Sequence, residues 1–426
     1  MTRKRGATAR LMSGLMGLAA AAMLLEMPGP AALGRLDDEK AAVEAVEQLF
    51  GLGRVTLDEK QPDKPVVAVS FRTTKVTDAD LKVLNVFKKL QKLDLAGATE
   101  ITDAGLEQLK PLKKLQTLIL MNSRITDAGL KSLKDCESLQ TLDLDGTGIT
   151  DAGLRELKEC RGLQELSLRY TKVTDAGMKE LKGLKNLQSL GLHDTAITDA
   201  GLKDLGGVKS LRYLSLENTK VTDAGLRELK GLKNLQWLVV PNITDATLAA
   251  LREIGLLHAL HRATAKGEKR PTGPEDVVAL DLAELSDKFT DAGLKELKEL
   301  KNLQRLKLRA SFRITDAGLK ELKEFKSLME LELDGTPVTD AGLGELKGLK
   351  NLQKLSLVQT RITGAGLGEL QSLQTLILDR TKIRDAELRE LKGLKNLRTL
   401  DLYGTRVTDA AVKELKTALP ELKINR

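Results

Sequence analysis

The chain has 426 residues, of which 41% are apolar, 30% charged and only 2% aromatic. That composition belongs to a folded globular protein and excludes both a disordered chain and one that crosses a membrane many times. The net charge is +8, but Arg3, Lys4, Arg5 and Arg10 lie in an acid-free first ten residues, so the long body carries only about +4. A balanced body of this kind argues against a general nucleic-acid surface, and two cysteines are too few for a disulfide-stapled scaffold.

In chain order, residues 1–34 come first. The basic start is followed by an uncharged apolar run from Leu11 to Leu25, and then by Glu26, Pro28, Gly29, Pro30 and the small residues Ala31, Ala32 and Gly34. This order of basic, apolar and small-residue segments reads as an export signal, which places the mature protein outside the cytoplasm. The run is short of the roughly 20 residues that span a bilayer. An uncleaved anchor is the alternative, and membrane contact is expected only in that case.

Residues 35–65 read as an N-terminal cap, with a helix from Asp37 to Phe50 that turns Val43, Val46, Leu49 and Phe50 to one side, and a strand at Arg54–Leu57. From residue 66 the chain repeats itself with a period of 24. Regular units begin at Leu115, Leu139, Leu163, Leu187, Leu211, Leu235, Leu303, Leu328, Leu352, Leu373 and Leu397, and less regular ones at Val66, Leu90 and Val277, which makes 14. Each unit opens with L-x-x-L-x-L, whose second half alternates like a strand. Thr-Asp-Ala-Gly-Leu follows and starts a short amphipathic helix, with Thr and Asp offering N-cap oxygens. One such unit cannot bury its apolar side alone, whereas stacked units can. The expected organisation is repeats 1–8 over 66–261, a polar Gly/Pro loop over 262–276, and repeats 9–14 with a C-terminal cap over 277–426. The repeat that begins at Leu235 breaks the pattern: its helix is expected to run from Thr247 to about Ala265 and to lead into the loop. One continuous body with a protruding loop is favoured over two halves.

The pattern resembles leucine-rich repeat proteins, with Thr147, Thr171, Thr195, Thr219, Thr336, Thr360, Thr381, Thr405 and Ser123 in the place usually held by Asn or Cys. The I-T-D-x-G-L phrase, with Cys136 and Cys160 three residues ahead of a repeat, is similar to the cysteine-containing subclass known from exported bacterial repeat proteins and from F-box relatives. The resemblance implies an α/β solenoid, a horseshoe with a parallel sheet on the concave face and short helices on the convex face. It implies little about function.

His258 and His261 sit three apart on the expected helix, but a zinc site needs further ligands and His193 lies two repeats earlier, so packing histidines are expected and no metal. Cys136 and Cys160 occupy equivalent core places in adjacent coils and are expected as stacked buried thiols, with a disulfide as the alternative. Arg305, Lys307 and Arg309 look like a phosphate track, yet Glu330, Glu332 and Asp334 stand at the same places one repeat on, so the two rows are expected to neutralise each other. Thr-Asp-Ala-Gly recurs nine times with the same neighbours, which explains its aspartate by capping rather than catalysis. No hydrolase elbow, phosphate-binding loop or metalloprotease motif is present, so neither an enzyme nor a cofactor is expected.

The scarce aromatics divide by position. Phe71, Phe87, Phe289 and Phe325 fall at core places, whereas Tyr170, Tyr213, Trp237 and Tyr403 fall at outward places near the strands. Tyr170, Tyr213 and Trp237, with His193 between them, define a candidate patch on repeats 5–8 for a protein partner, because Tyr and Trp are enriched where binding energy concentrates. The expectation is thus an exported, non-catalytic protein that binds another protein through its concave face and binds no nucleic acid. The alternatives are an envelope component held by self-association and, by family analogy only, a substrate-recognition subunit of the F-box ubiquitin-ligase type.

Overall fold

The structure, a computed structural model, describes residues 38–426 apart from Ser286. The stretch read as an export signal lies outside the described residues. The chain forms two compact units, the first ending at Leu211 and the second beginning at Arg212.

In the first unit a helix, Glu39–Phe50, precedes the sheet. Asp38 caps it by accepting from the Lys40 N–H at 3.0 Å. Its buried side consists of Ala42, Ala45 and Val46, whereas Leu49 is exposed, contrary to expectation. The small alanines allow close approach, and only Phe50, edge-on to Phe71 at 5.0 Å, reaches the core from the end of the helix. Strand β1 (Val55–Leu57) pairs antiparallel with β2 (Val66–Ser70). Strands β3 (Lys92–Asp94), β4 (Thr117–Ile119), β5 (Thr141–Asp143), β6 (Glu165–Ser167) and β7 (Ser189–Gly191) then add in parallel and in sequence order. Register is fixed because leucine faces leucine at every step: Leu93, Leu118, Leu142, Leu166 and Leu190 are opposed in turn and all buried. A slip of one residue would expose this whole column.

In the second unit β8 (Tyr213–Ser215) pairs parallel with β9 (Trp237–Val239). A further sheet holds β10 (Ala263–Thr264), β11 (Ala279–Asp281), β12 (Arg305–Lys307), β13 (Glu330–Glu332), β14 (Lys354–Ser356), β15 (Thr375–Ile377), β16 (Thr399–Asp401) and β17 (Lys423–Asn425). All of its pairings are parallel except β10 with β11. Leu419 and Leu422 are buried beneath the last strand. The irregular stretch lies wholly inside this unit. Its helix is Asp245–Glu253 and stops well before Ala265, because Gly255 (φ 72°) turns the chain into a short 3-10 turn at Leu257–Ala259 and then into β10.

The Thr-Asp-Ala-Gly phrase has a part for each residue. Thr198 caps its own helix by accepting from the Ala200 N–H at 3.2 Å. The aspartate, expected from sequence to cap its own helix, instead reaches to the next coil. Asp175 accepts from the Thr198 N–H at 2.8 Å and from its hydroxyl at 2.6 Å. The same pair of bonds joins Asp103 to Thr126, Asp127 to Thr150 and Asp151 to Thr174 in the first unit. In the second unit it joins Asp291 to Thr315 and Asp316 to Thr339, and it crosses the irregular stretch from Asp245 to Thr290. The glycine leaves room for that carboxylate: a Cβ on Gly201 would stand 2.5 Å from Asp175 Oδ1. The one coil with Gly364 in the aspartate place is followed by a coil with Arg384 in the threonine place and Glu387 in the glycine place. Without the carboxylate, neither its donor nor its space is needed.

The threonines that replace the usual Asn or Cys close the turn after each strand. Thr171, Thr195, Thr336 and Thr360 donate their hydroxyls to the carbonyl three residues back, at 2.6–2.7 Å. A buried hydroxyl is thereby satisfied without reaching the neighbouring coil. Phe71, Phe87, Phe289 and Phe325 are all core residues.

Candidate functional site

Of the four outward residues singled out from sequence, Tyr170 and His193 belong to the first unit and Tyr213 and Trp237 to the second. Tyr213 and Trp237 open β8 and β9, are directly opposed in the parallel register, and lie half-buried with their rings 5.8 Å apart at 54°. His193 lies two residues beyond β7. Tyr170 lies in the turn after β6 in the left-handed conformation (φ 55°), which asparagine, aspartate or glycine fills in several other coils. Within the first unit Tyr170 and His193 meet edge to face at 5.1 Å, with the Tyr170 hydroxyl 3.0 Å from His193 Nε2. Asp194 Oδ2 stands 2.7 Å from the same nitrogen. Tyr170 is 60% exposed, so its ring offers an accessible edge beside a polar group. Within the second unit Tyr213 and Trp237 form a separate pair.

Arg270 adds a contact to the second pair that sequence reasoning missed. Its guanidinium carbon lies 3.3 Å from the centroid of a Trp237 ring, and Nη1 donates to the His261 and Ala263 carbonyls at 3.0 and 3.2 Å. Burial lowers its pKa. Residues 262–276 therefore do not protrude as a free loop: Pro271 and Gly273 are buried and the segment turns back over the sheet. The interrupted repeat immediately after Trp237 was the only sequence signal that something covers this position.

His258 is buried, and its ring nitrogens make no well-formed hydrogen bond, although the Leu235 and Gly255 carbonyls lie close. Burial lowers its pKa, against the opposing pull of those carbonyls and of Glu275 and Asp276. His261 is likewise lowered, first by burial and then by Arg262. No group of three His, Cys, Asp or Glu among the described residues is placed to hold a metal ion. Cys136 and Cys160 are buried and form no disulfide, and burial pushes the Cys160 thiol up to about 12.

The basic row of β12 lies beside an acidic row, in register: Arg305 opposes Glu330 and Lys307 opposes Glu332. Arg309 pairs with Glu332 at 3.3 Å, Lys354 reaches Glu332 at 3.6 Å, and Lys307 reaches Asp281 at 3.9 Å. The apparent phosphate track is thus a charge ladder across the sheet.

Comparison with known proteins agrees with this architecture. One family model described as leucine rich repeat matches residues 161–221, and a second of the same description matches 88–110, 112–134 and 135–158. This chain is a leucine-rich repeat protein. A leucine-rich repeat protein of Leptospira interrogans is 24% identical, with a TM-score of 0.54 over 92% of this chain and 99% of that one. An internalin of Listeria monocytogenes is 19% identical, with a TM-score of 0.42 over 94% of this chain and 97% of that one. The ectodomain of a plant membrane receptor kinase from Arabidopsis thaliana, solved in complex with Casparian strip integrity factor 2, is 17% identical, with a TM-score of 0.42 over 92% of this chain and 53% of that one. No curated protein matches the sequence. No helix among the described residues is long and apolar enough to cross a membrane.

Proposed function

We propose that this leucine-rich repeat protein is exported and recognises a protein partner without catalysing a reaction. The partner-binding residues are Tyr170 and His193 in the first unit and Tyr213 and Trp237 in the second. The repeat architecture supports a binding role, since stacked coils present a long row of outward side chains on a rigid frame. The observation that carries the assignment is the placement of the aromatics: three tyrosines and one tryptophan in the whole chain, all at outward places beside the strands. Amphipathic rings with a polar tip concentrate binding energy where they are held rigid. Export is supported by the order of segments in residues 1–34.

The test is capture from an envelope extract by the wild-type protein, beside a variant carrying Tyr170→Ala, Tyr213→Ala and Trp237→Ala. A partner retained by the wild type and lost from a variant with unchanged circular dichroism supports the assignment. Equal capture by both moves the site elsewhere. Cell fractionation tests location: recovery of the full chain in the cytoplasm with an intact N-terminus would overturn export.

A further inference from the structure

We propose that the face of Trp237 is a binding site for a guanidinium group, occupied in the free protein by Arg270 and taken by an arginine of the partner chain when residues 265–276 move aside. The inference rests on the assignment of Tyr213 and Trp237 as partner-binding residues and adds the chemistry of what they bind.

Two observations carry it. First, the cradle suits a planar fork and not a point charge. The guanidinium carbon lies 3.3 Å from the centroid of a Trp237 ring, while one edge nitrogen donates to two carbonyls, those of His261 and Ala263. No ion pair among the described residues includes Arg270. Arginine presents both a flat face for the indole and directed N–H groups for the carbonyls, which an ammonium cannot do together. Second, the cover is imperfectly satisfied. The Trp237 indole N–H is buried with no acceptor, and the turn that carries Arg270 passes through Glu268 in the left-handed region (φ 59°). Residues Lys266, Gly267, Glu268 and Lys269 are exposed and bind the sheet little, so the segment is tied down chiefly from Arg270 onward. A partner's arginine would restore each contact of Arg270 and bring a main-chain carbonyl within reach of the unused indole donor.

Trp237 is the only tryptophan in the chain, so its emission reports on this site alone. The full-length protein and an Arg270→Gln variant, which keeps a donor for the two carbonyls but removes the charge, are titrated at constant ionic strength. The probes are the blocked amides of arginine, lysine and citrulline; citrulline has nearly the shape of arginine without its charge. The expected result is a saturable emission change with the arginine probe in Arg270→Gln, with half-saturation at least tenfold lower than in wild type and no response to citrulline. No saturable response, an equal response in both proteins, or an equal response to citrulline would overturn the site. An equal response to lysine would overturn its preference for guanidinium. If Arg270→Gln does not fold, hydrogen exchange on the wild type decides: the arginine probe should raise exchange in residues 265–276 and citrulline should not, and equal exchange with both refutes the proposal. Loss of partner capture from the triple-alanine variant without any guanidinium response would leave the face assigned and reject only this chemistry.

Discussion

Replacing Gly201 by alanine tests how the coils are joined. In most helices Gly→Ala gains about 1 kcal/mol, because alanine loses less backbone entropy. Here a Cβ would stand 2.5 Å from Asp175 Oδ1 and 3.2 Å from Met178 Cγ, so the carboxylate must shift. Its two hydrogen bonds, from the Thr198 N–H and hydroxyl, would be strained or lost; Asp385 keeps the corresponding pair beside Ala411 in the last coil, which sets the mild end of the range. Bonds to a charged acceptor contribute about 1.5–3 kcal/mol each, and because this pair is only part-buried the lower end applies. After the helix-propensity gain, a net loss of up to about 2 kcal/mol is expected. Gly344, inside the equally long helix Asp340–Leu346, has nothing within 4 Å of a Cβ and is the control: alanine there should stabilise by about 1 kcal/mol. In an Asp175→Ala background, Gly201→Ala should change sign and become stabilising, which isolates the coupling between the two residues. Urea denaturation followed by circular dichroism measures all four variants. If Gly201→Ala were as stabilising as Gly344→Ala in the wild-type background, the aspartate would not be joining the coils and the explanation of the repeated phrase would fail.

Three further outcomes follow from the burial and charge described above. Burial holds the His258 pKa below its ordinary 6.5, so its contribution to stability is complete above that pH and is lost as pH falls toward the lower folded value. Thermal unfolding of the wild type should therefore weaken between about pH 7 and pH 5 more steeply than that of His258→Gln; parallel pH dependences would refute this. The Cys160 thiol, pushed up to about 12, should be inert to a thiol reagent at pH 8 in the folded protein and should react once it is unfolded in urea. Rapid labelling of Cys160 in the native state would contradict its burial. Arg305→Glu should place like charges opposite Glu330 and destabilise by about 0.2–1 kcal/mol, and in a Glu330→Gln background the same substitution should cost less; denaturation midpoints of the single and double variants decide.

Much of the fold was legible because the repeat states each rule many times. The leucine column sets the register, and aligning units on their first leucine places Arg305 beside Glu330 and Cys136 beside Cys160 in adjacent coils. Periodicity alone could not show that the aspartate of one coil serves the next, because Thr198 and Asp199 are adjacent in sequence whereas the partner of Thr198 is Asp175. The substitution of Gly364 with Arg384 and Glu387 one coil later was the available signal. The helix at the start differs from expectation at Leu49 because Ala42, Ala45 and Val46 make its buried face and Leu49 falls outside it. Arg270 was illegible for a different reason. It lies in a segment without repeat character, 33 positions from Trp237, and only the fold brings the two together.

Hydrogen exchange on the complex, once the partner has been captured, tests partner recognition beside the strands most directly. Protection is expected in the turn around Tyr170 and His193, in strands 213–215 and 237–239, or in both, with altered exchange in residues 265–276. Protection confined to the helices, with the strands and residues 265–276 unchanged, would contradict it.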